Sequence, residues 1–239
     1  MSITMNPFDS AIFTFFNGFA HRSWAFDTFV SLLAENYLLK GGLIVALIWW
    51  AWFRPTENQA DNRRYLLAGM LACLFSVIVA RSLAHLLPFR ARPMANPLIN
   101  FQHPYSWKGE GLIDWSSFPS DHAAVFFALA ACIFFVWRSA GIVALFHTFF
   151  FICLPRIYLG YHFPTDILGG AALGISLAYL ARAPRIREWV GDLAAKWTSV
   201  SPGSFYACLF LLTFQIVTIF QPVRDIVHFF SLLVHGRTS

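Results

Sequence analysis

Six long apolar blocks constrain this chain more than any other feature. They run over residues 37–53, 65–87, 123–137, 141–159, 167–181 and 205–220. A helix needs about 20 predominantly apolar residues to cross the hydrocarbon core of a bilayer. Blocks slightly short of that are accommodated by tilt or by extending the helix into the interface. Only 12% of the residues are charged, 58% are hydrophobic, and the mean hydropathy is +0.59. A soluble domain carries roughly twice that charge. The blocks therefore predict an all-α, polytopic membrane protein with six spans, and they disfavour a soluble helical core.

The segment over residues 7–34 has a different character. It is rich in aromatics (Phe8, Phe13, Phe15, Phe16, Phe19, Trp24, Phe26, Phe29) but broken by Asn17-Gly18 and by His21-Arg22-Ser23. This pattern predicts one or two amphipathic helices lying in the interface, so that residues 1–36 form an interfacial N-terminal segment. Residues 223–234 have the same look, set off from the last block by Pro222. No basic n-region precedes an apolar core in the first twenty residues, so no cleavable signal peptide is expected. No repeat or linker divides residues 1–239, and a single domain is expected.

The net charge of +5 invites a nucleic-acid reading. The basic residues lie instead at block ends and in short loops, and they make no solvated basic face. Cys73, Cys132, Cys153 and Cys208 all fall inside apolar blocks without a C-x-x-C pair, which fits small core- or lipid-facing side chains rather than disulfides or a metal site. Arg54, Arg63, Arg64, Arg138, Arg182, Arg185, Arg187 and Lys196 fall in connections on one side of a six-span bundle. By the positive-inside rule that side is cytoplasmic.

Three motif-bearing segments then share the opposite side. The first holds Arg90, Arg92 and Pro93, the second Pro119-Ser120-Asp121-His122, and the third Arg156, His162, Pro164 and Asp166. His162 and Asp166 are four apart and share a face on a helix. A carboxylate on one imidazole nitrogen fixes the tautomer and leaves the other free to attack; alone, the pair reads equally well as a helix cap. Ser120 suits an N-cap, and a helix N-terminus welcomes an anion near His122. Arginine forks pair with phosphate oxygens. Arg81 lies inside the second block, where a charge is expensive and usually functional, one turn before His85. The polar stretch over residues 88–117 is too rich in Pro and Gly for one helix and reads as a cap over the site.

In combination these segments resemble the type 2 phosphatidic acid phosphatase superfamily of membrane lipid phosphatases, which is related in site architecture to vanadium haloperoxidases. The family pattern is K-x6-R-P, then P-S-x-H, then S-R-x5-H-x3-D. It matches at Arg92-Pro93, at Pro119-Ser120-Asp121-His122, and at Arg156, His162 and Asp166, within a core over residues 81–170. Two positions depart from it: the lysine falls at His85 and the serine before the arginine at Pro155. The resemblance implies hydrolysis without metal or cofactor. His162 attacks phosphorus, Asp166 orients it, and His122 protonates the leaving oxygen. Arg92, Ser120 and Arg156 hold the phosphate, with His85 or Arg81 standing in for the missing lysine.

The wording of the second and third motifs looks like that of bacterial undecaprenyl pyrophosphate phosphatases. That implies a bacterial cytoplasmic membrane, a site open to the periplasm or exterior, and the bilayer and a lipid (pyro)phosphate as partners. A phosphatidylglycerophosphate or phosphatidic acid phosphatase, a lipid A phosphatase or phosphotransferase, and a silent binder of anionic lipid are the alternatives. The sequence leaves the oligomeric state open.

Overall fold

The structure is a computed structural model that describes residues 6–97, 99–105, 107, 112–222 and 226. Apart from Ile226, the C-terminal interfacial segment expected over 223–234 lies outside those residues. Among the described residues the chain is helical and has no strand. Its α-helices are α1 (Pro7–Asn17), α2 (Trp24–Glu35), α3 (Leu43–Phe53), α4 (Gln59–Leu86), α5 (Asp121–Val136), α6 (Arg138–His147), α7 (Leu154–Tyr158), α8 (Pro164–Leu180), α9 (Pro184–Val200) and α10 (Pro202–Val217). A π-helical turn, Leu38–Gly42, leads into α3, and another, Thr148–Cys153, joins α6 to α7.

Local chemistry starts these helices. The Asn6 side chain accepts the amide of Phe8 at 3.0 Å, with Pro7 at the first position of α1. Ser23 and Ser120 cap α2 and α5. Proline opens α8, α9 and α10, where its missing N–H costs nothing.

Every one of the six apolar blocks is helical. Helix α4 and the continuous stretch Arg138–Tyr158 are long and apolar enough to cross a bilayer alone. The pair α2 and α3 (with its π-turn) is bent by 62°, and the pair α8 and α9 by 74°; counting each pair as one span gives up to four crossings by length and composition. Helices α5 and α10 are apolar but have 16 residues each. The N-terminal segment forms two helices. Helix α9 was not anticipated: its charged residues had read only as a basic connection.

Helix α5 is the axis of the molecule. It is apolar all round, and ten of its sixteen residues, from Ala123 to Ile133, are buried, as a helix enclosed by others requires. Its alanines let α8 approach closely. A Cβ on Gly170 would lie 2.3 Å from the Ser120 carbonyl oxygen, and one on Gly174 would lie 2.1 Å from that of Ala124. This small-residue seam is a common membrane-helix solution, because close backbone approach maximises dispersion where lipid tails are as apolar as leucine. The outer faces are apolar too: Phe75 and Ile78 on α4, Ile142 and Phe146 on α6, and Phe210 and Leu211 on α10 are exposed. A belt of that kind suits contact with lipid rather than water.

The bundle has two chemically distinct ends. At one, Arg187 pairs with Asp61 at 2.5 Å, Arg64 with Asp192 at 3.4 Å, and the Arg54 guanidinium lies over Trp137 at 4.6 Å. At the other, the start of α5, the start of α8 and the segment after α4 converge. Ser120 N donates to the Asp166 carbonyl at 3.1 Å, and Ser117 N to that of Arg90 at 2.9 Å.

Candidate active site

The second end holds a cavity of about 610 Å³. Arg81, Arg92, His122, Arg156 and His162 line it, together with Lys40, Asp121, Trp115 and Ser116. The long loop contributes Leu112, Trp115 and Ser116 to the wall.

His162 reaches the cavity through a reversal between α7 and α8. Gly160 has φ +71°, a left-handed conformation that glycine adopts without penalty. The Arg156 carbonyl accepts the amides of Tyr161 and His162 at 2.9 and 3.3 Å, which places Arg156 and His162 in the same wall. Nδ1 of His162 lies 2.8 Å from the Ser117 carbonyl oxygen. Nε2 lies 3.4 Å from Nη1 of Arg92. A carbonyl only accepts and a guanidinium only donates, so the proton belongs on Nδ1 and the lone pair on Nε2. Burial holds the His162 pKa below the ordinary histidine range, against the upward pull of Asp166. The imidazole is therefore neutral at neutral pH, with its lone pair facing the cavity's cations.

Asp166 lies within ion-pair distance of His162, as the i, i+4 spacing implies, but makes no short hydrogen bond to it. Its Oδ2 is 3.8 Å from Nδ1 and instead accepts the amide of Phe163 at 2.7 Å. Its Oδ1 accepts from Nη1 of Arg90 at 2.5 Å. The capping geometry of α8 turns the carboxylate toward its own helix end, and the Ser117 carbonyl takes the imidazole proton.

His122 also lines the cavity, from the first turn of α5. Nδ1 of His122 donates to Oδ1 of Asp121 at 2.8 Å, and Oδ2 of Asp121 lies 3.5 Å from Nη2 of Arg81. Asp121 thus orients the second histidine through its Nδ1 proton.

Two guanidiniums flank His162. Arg92 is 8% exposed and is fixed by the carbonyls of Tyr161 (2.7 Å) and Trp115 (3.1 Å). Arg156 is 6% exposed, and among the described residues its Nε has no hydrogen-bond partner. Nη2 of Arg81 likewise has none. Buried donors left unsatisfied are costly, and both guanidiniums line the cavity, where an anion would offer them acceptors. Ser120 caps α5, with Oγ 3.4 Å from Ala123 N, and is fully buried without lining the cavity. His85 is exposed, with its ring 6.1 Å from that of Trp115, and does not line the cavity either. Among the described residues no three His, Cys, Asp or Glu side chains converge as a metal site requires.

Sequence reasoning missed Asp9. This residue of α1 is fully buried, accepts from Nη2 of Arg90 at 2.6 Å, and accepts the amide and hydroxyl of Thr165 at 2.9 and 2.6 Å. Arg90 thus bridges Asp9 and Asp166. A second buried carboxylate, Asp27 of α2, accepts from the Tyr158 hydroxyl and from the amides of His21 (3.0 Å) and Tyr105 (2.9 Å). The acidic residues inside the aromatic segment were the available signal: a carboxylate on a greasy face needs a buried partner.

The chain is similar to the bacitracin transport permease protein BcrC of Bacillus licheniformis, at 30% identity over 165 residues, covering 68% of this chain and 73% of that protein. It is 26% identical over 173 residues to the undecaprenyl-diphosphatase BcrC of Bacillus subtilis strain 168, covering 71% of this chain and 80% of the relative. Its fold resembles the crystal structure of Aquifex aeolicus LpxE, with a TM-score of 0.52 at 24% identity over 76% of this chain and 98% of the other. The model of the PAP2 superfamily matches residues 64–189, which takes in every motif described above. That match covers more than half of the chain, and the protein therefore belongs to the PAP2 superfamily of membrane lipid phosphatases.

Proposed function

We propose that this protein hydrolyses the terminal phosphate of undecaprenyl pyrophosphate through a phosphohistidine on His162. The observation that carries the reading is the orientation of His162. Its Nδ1–H is engaged by a backbone carbonyl, so its Nε2 lone pair faces a cavity walled by Arg92 and Arg156. A nucleophile held in one tautomer beside preorganised cations is what in-line phosphoryl transfer needs. The name of the Bacillus subtilis relative supports the lipid chosen.

In this reading Nε2 attacks phosphorus, and Arg92 and Arg156 stabilise the equatorial oxygens. His122 acts in its imidazolium form: Nδ1–H stays hydrogen-bonded to Asp121 and the Nε2 proton goes to the leaving oxygen, with burial lowering the His122 pKa and Asp121 pulling it up. His122 then takes a proton from the water that cleaves the phosphohistidine. Asp166 acts at a remove, through the Arg90 network. No metal is required by this route. The separation of the basic end from the site end supports a site that opens away from the cytoplasm of a bacterial inner membrane, where the N-terminal helices lie at the interface.

The test is phosphate release by detergent-purified protein with EDTA present. Undecaprenyl pyrophosphate, phosphatidylglycerophosphate and phosphatidic acid are supplied in parallel, with His162→Ala as control. Preferred turnover of the pyrophosphate that survives EDTA and vanishes in the variant is the expected result. Preference for either glycerolipid reassigns the substrate. Loss with EDTA overturns the mechanism, and silence on all three moves the protein to phosphotransfer or to lipid binding alone.

A further inference from the structure

Four permanent cations line the cavity, and the chemistry at His162 uses two of them. The others, Lys40 and Arg81, come from the π-turn before α3 and from α4. Neither belongs to a matched motif position. The residue that stands where the family pattern has lysine is His85, which is exposed and outside the cavity wall. The positive charge has not been lost; other elements supply it.

Both cations sit on the His122 side. Arg81 lies 3.5 Å from Asp121, which itself holds His122. Lys40 is 5% exposed, and its Nζ is 4.7 Å from the centre of the Tyr37 ring, which lines the same cavity. The following residue, Gly41, is packed on Phe126, where a Cβ would lie 3.2 Å from the ring. Phe126 follows His122 by one helical turn, and their ring centres are 6.4 Å apart. Two carboxylates, Glu35 and Asp121, also line the cavity.

The side matters because attacking and leaving atoms are roughly in line through phosphorus. With His162 as nucleophile, the His122 side receives the leaving group. A phosphomonoester releases an alcohol there, which needs a proton and no counter-charge. A diphosphate releases a phosphate monoester, which carries between about one and two negative charges. We infer that Lys40 and Arg81 form a second phosphate subsite, on the leaving-group side, that holds the inner phosphate of a lipid diphosphate. This inference rests on the phosphohistidine reading above. In the step it serves, the Nε2 lone pair forms an N–P bond to the terminal phosphorus. The bridging P–O bond breaks, and its electron pair stays with the inner phosphate, which takes the His122 proton. Lys40 and Arg81 neutralise the charge that remains. Water then releases inorganic phosphate from His162 and returns a proton to His122.

The experiment compares kcat/KM for undecaprenyl pyrophosphate and undecaprenyl phosphate in the wild type, Lys40→Met, Arg81→Met and the double variant. The wild type should prefer the diphosphate, and each single variant should reduce the diphosphate-to-monophosphate ratio about tenfold or more, as loss of a charge-assisted contact predicts. Lys40→Arg should keep most of the ratio. In parallel, methylenediphosphonate and methylphosphonate are titrated into each protein and followed by thermal shift, which requires no turnover. The wild type should bind the diphosphonate more tightly, and the methionine variants should lose that margin. Equal affinity of the wild type for the two probes, or an unchanged ratio in the variants, overturns the subsite. Diphosphonate preference through these residues without turnover of undecaprenyl pyrophosphate would leave the subsite standing and sink the proposed substrate. Turnover of the diphosphate with an unchanged ratio would do the reverse.

Discussion

The imidazole of His162 is held by the carbonyl oxygen of Ser117, 2.8 Å from Nδ1. The residue that orients the proposed nucleophile is therefore a backbone group in the loop before α5. A carbonyl cannot be protonated in the working pH range, so the tautomer does not depend on the ionisation of a carboxylate.

This arrangement predicts a mild phenotype for Asp166→Asn. In a serine protease triad, loss of the carboxylate allows the wrong tautomer and costs about 10⁴-fold in kcat. Here the Ser117 carbonyl still dictates the Nδ1–H tautomer. Asp166→Asn should lower kcat by roughly 10²-fold at most, whereas His162→Ala should leave no measurable turnover. Steady-state kinetics on the preferred lipid checks both.

The pH profile follows from the burial of His162. The nucleophile must be neutral, and burial places its pKa below the ordinary histidine value of about 6.5. On the acid side activity should therefore persist below pH 6.5 and fall as the pH drops through the depressed His162 pKa, while the basic limb, set by loss of the His122 proton, should also lie toward low pH because burial lowers that pKa too. Asp166 pulls the His162 pKa upward, so Asp166→Asn should move the acid limb to still lower pH. Comparing the kcat/KM profiles of the two proteins cancels the ionisation of the substrate.

Arg90 predicts a stability phenotype. It neutralises two carboxylates that are fully buried, Asp9 at 2.6 Å and Asp166 at 2.5 Å. Arg90→Ala leaves both uncompensated and should cost about 3–5 kcal/mol. Asp9→Asn leaves Arg90 its partner in Asp166 and should cost less. Thermal unfolding in detergent, with the two variants side by side, gives the order.

The seam between α5 and α8 predicts that Gly170→Ala damages both stability and turnover. The new Cβ would meet the Ser120 carbonyl at 2.3 Å, and backbone cannot rotate aside. Overpacking of this kind costs about 1–3 kcal/mol. The displacement falls between the helix that carries His122 and the one that follows His162, so kcat should fall even at temperatures where the variant stays folded. A variant with wild-type kcat would show that the two helix starts are not held by this contact.

The sequence by itself determined the helical class and the short-range chemistry. Apolar blocks specify helices because a chain in hydrocarbon must satisfy its own backbone, and all six blocks are helical. The motifs named His122, Arg92, Arg156 and His162, and the packing of the start of α5, the start of α8 and the segment after α4 brings all four to one cavity. What the sequence misjudged were relationships across the chain. The i, i+4 spacing of His162 and Asp166 implied a hydrogen bond, but Arg90, 76 positions away, and the cap of α8 hold the carboxylate, which stays 3.8 Å from the imidazole. His85 has the register of the lysine position but is exposed and outside the cavity wall, while Lys40, far from any motif, lines the cavity. Asp9, to which the sequence assigned no role, is the partner of Arg90. Only the tertiary structure decided these, because a buried charge is positioned by whichever partner the packing of distant helices brings within about 3 Å, and no local pattern encodes that partner.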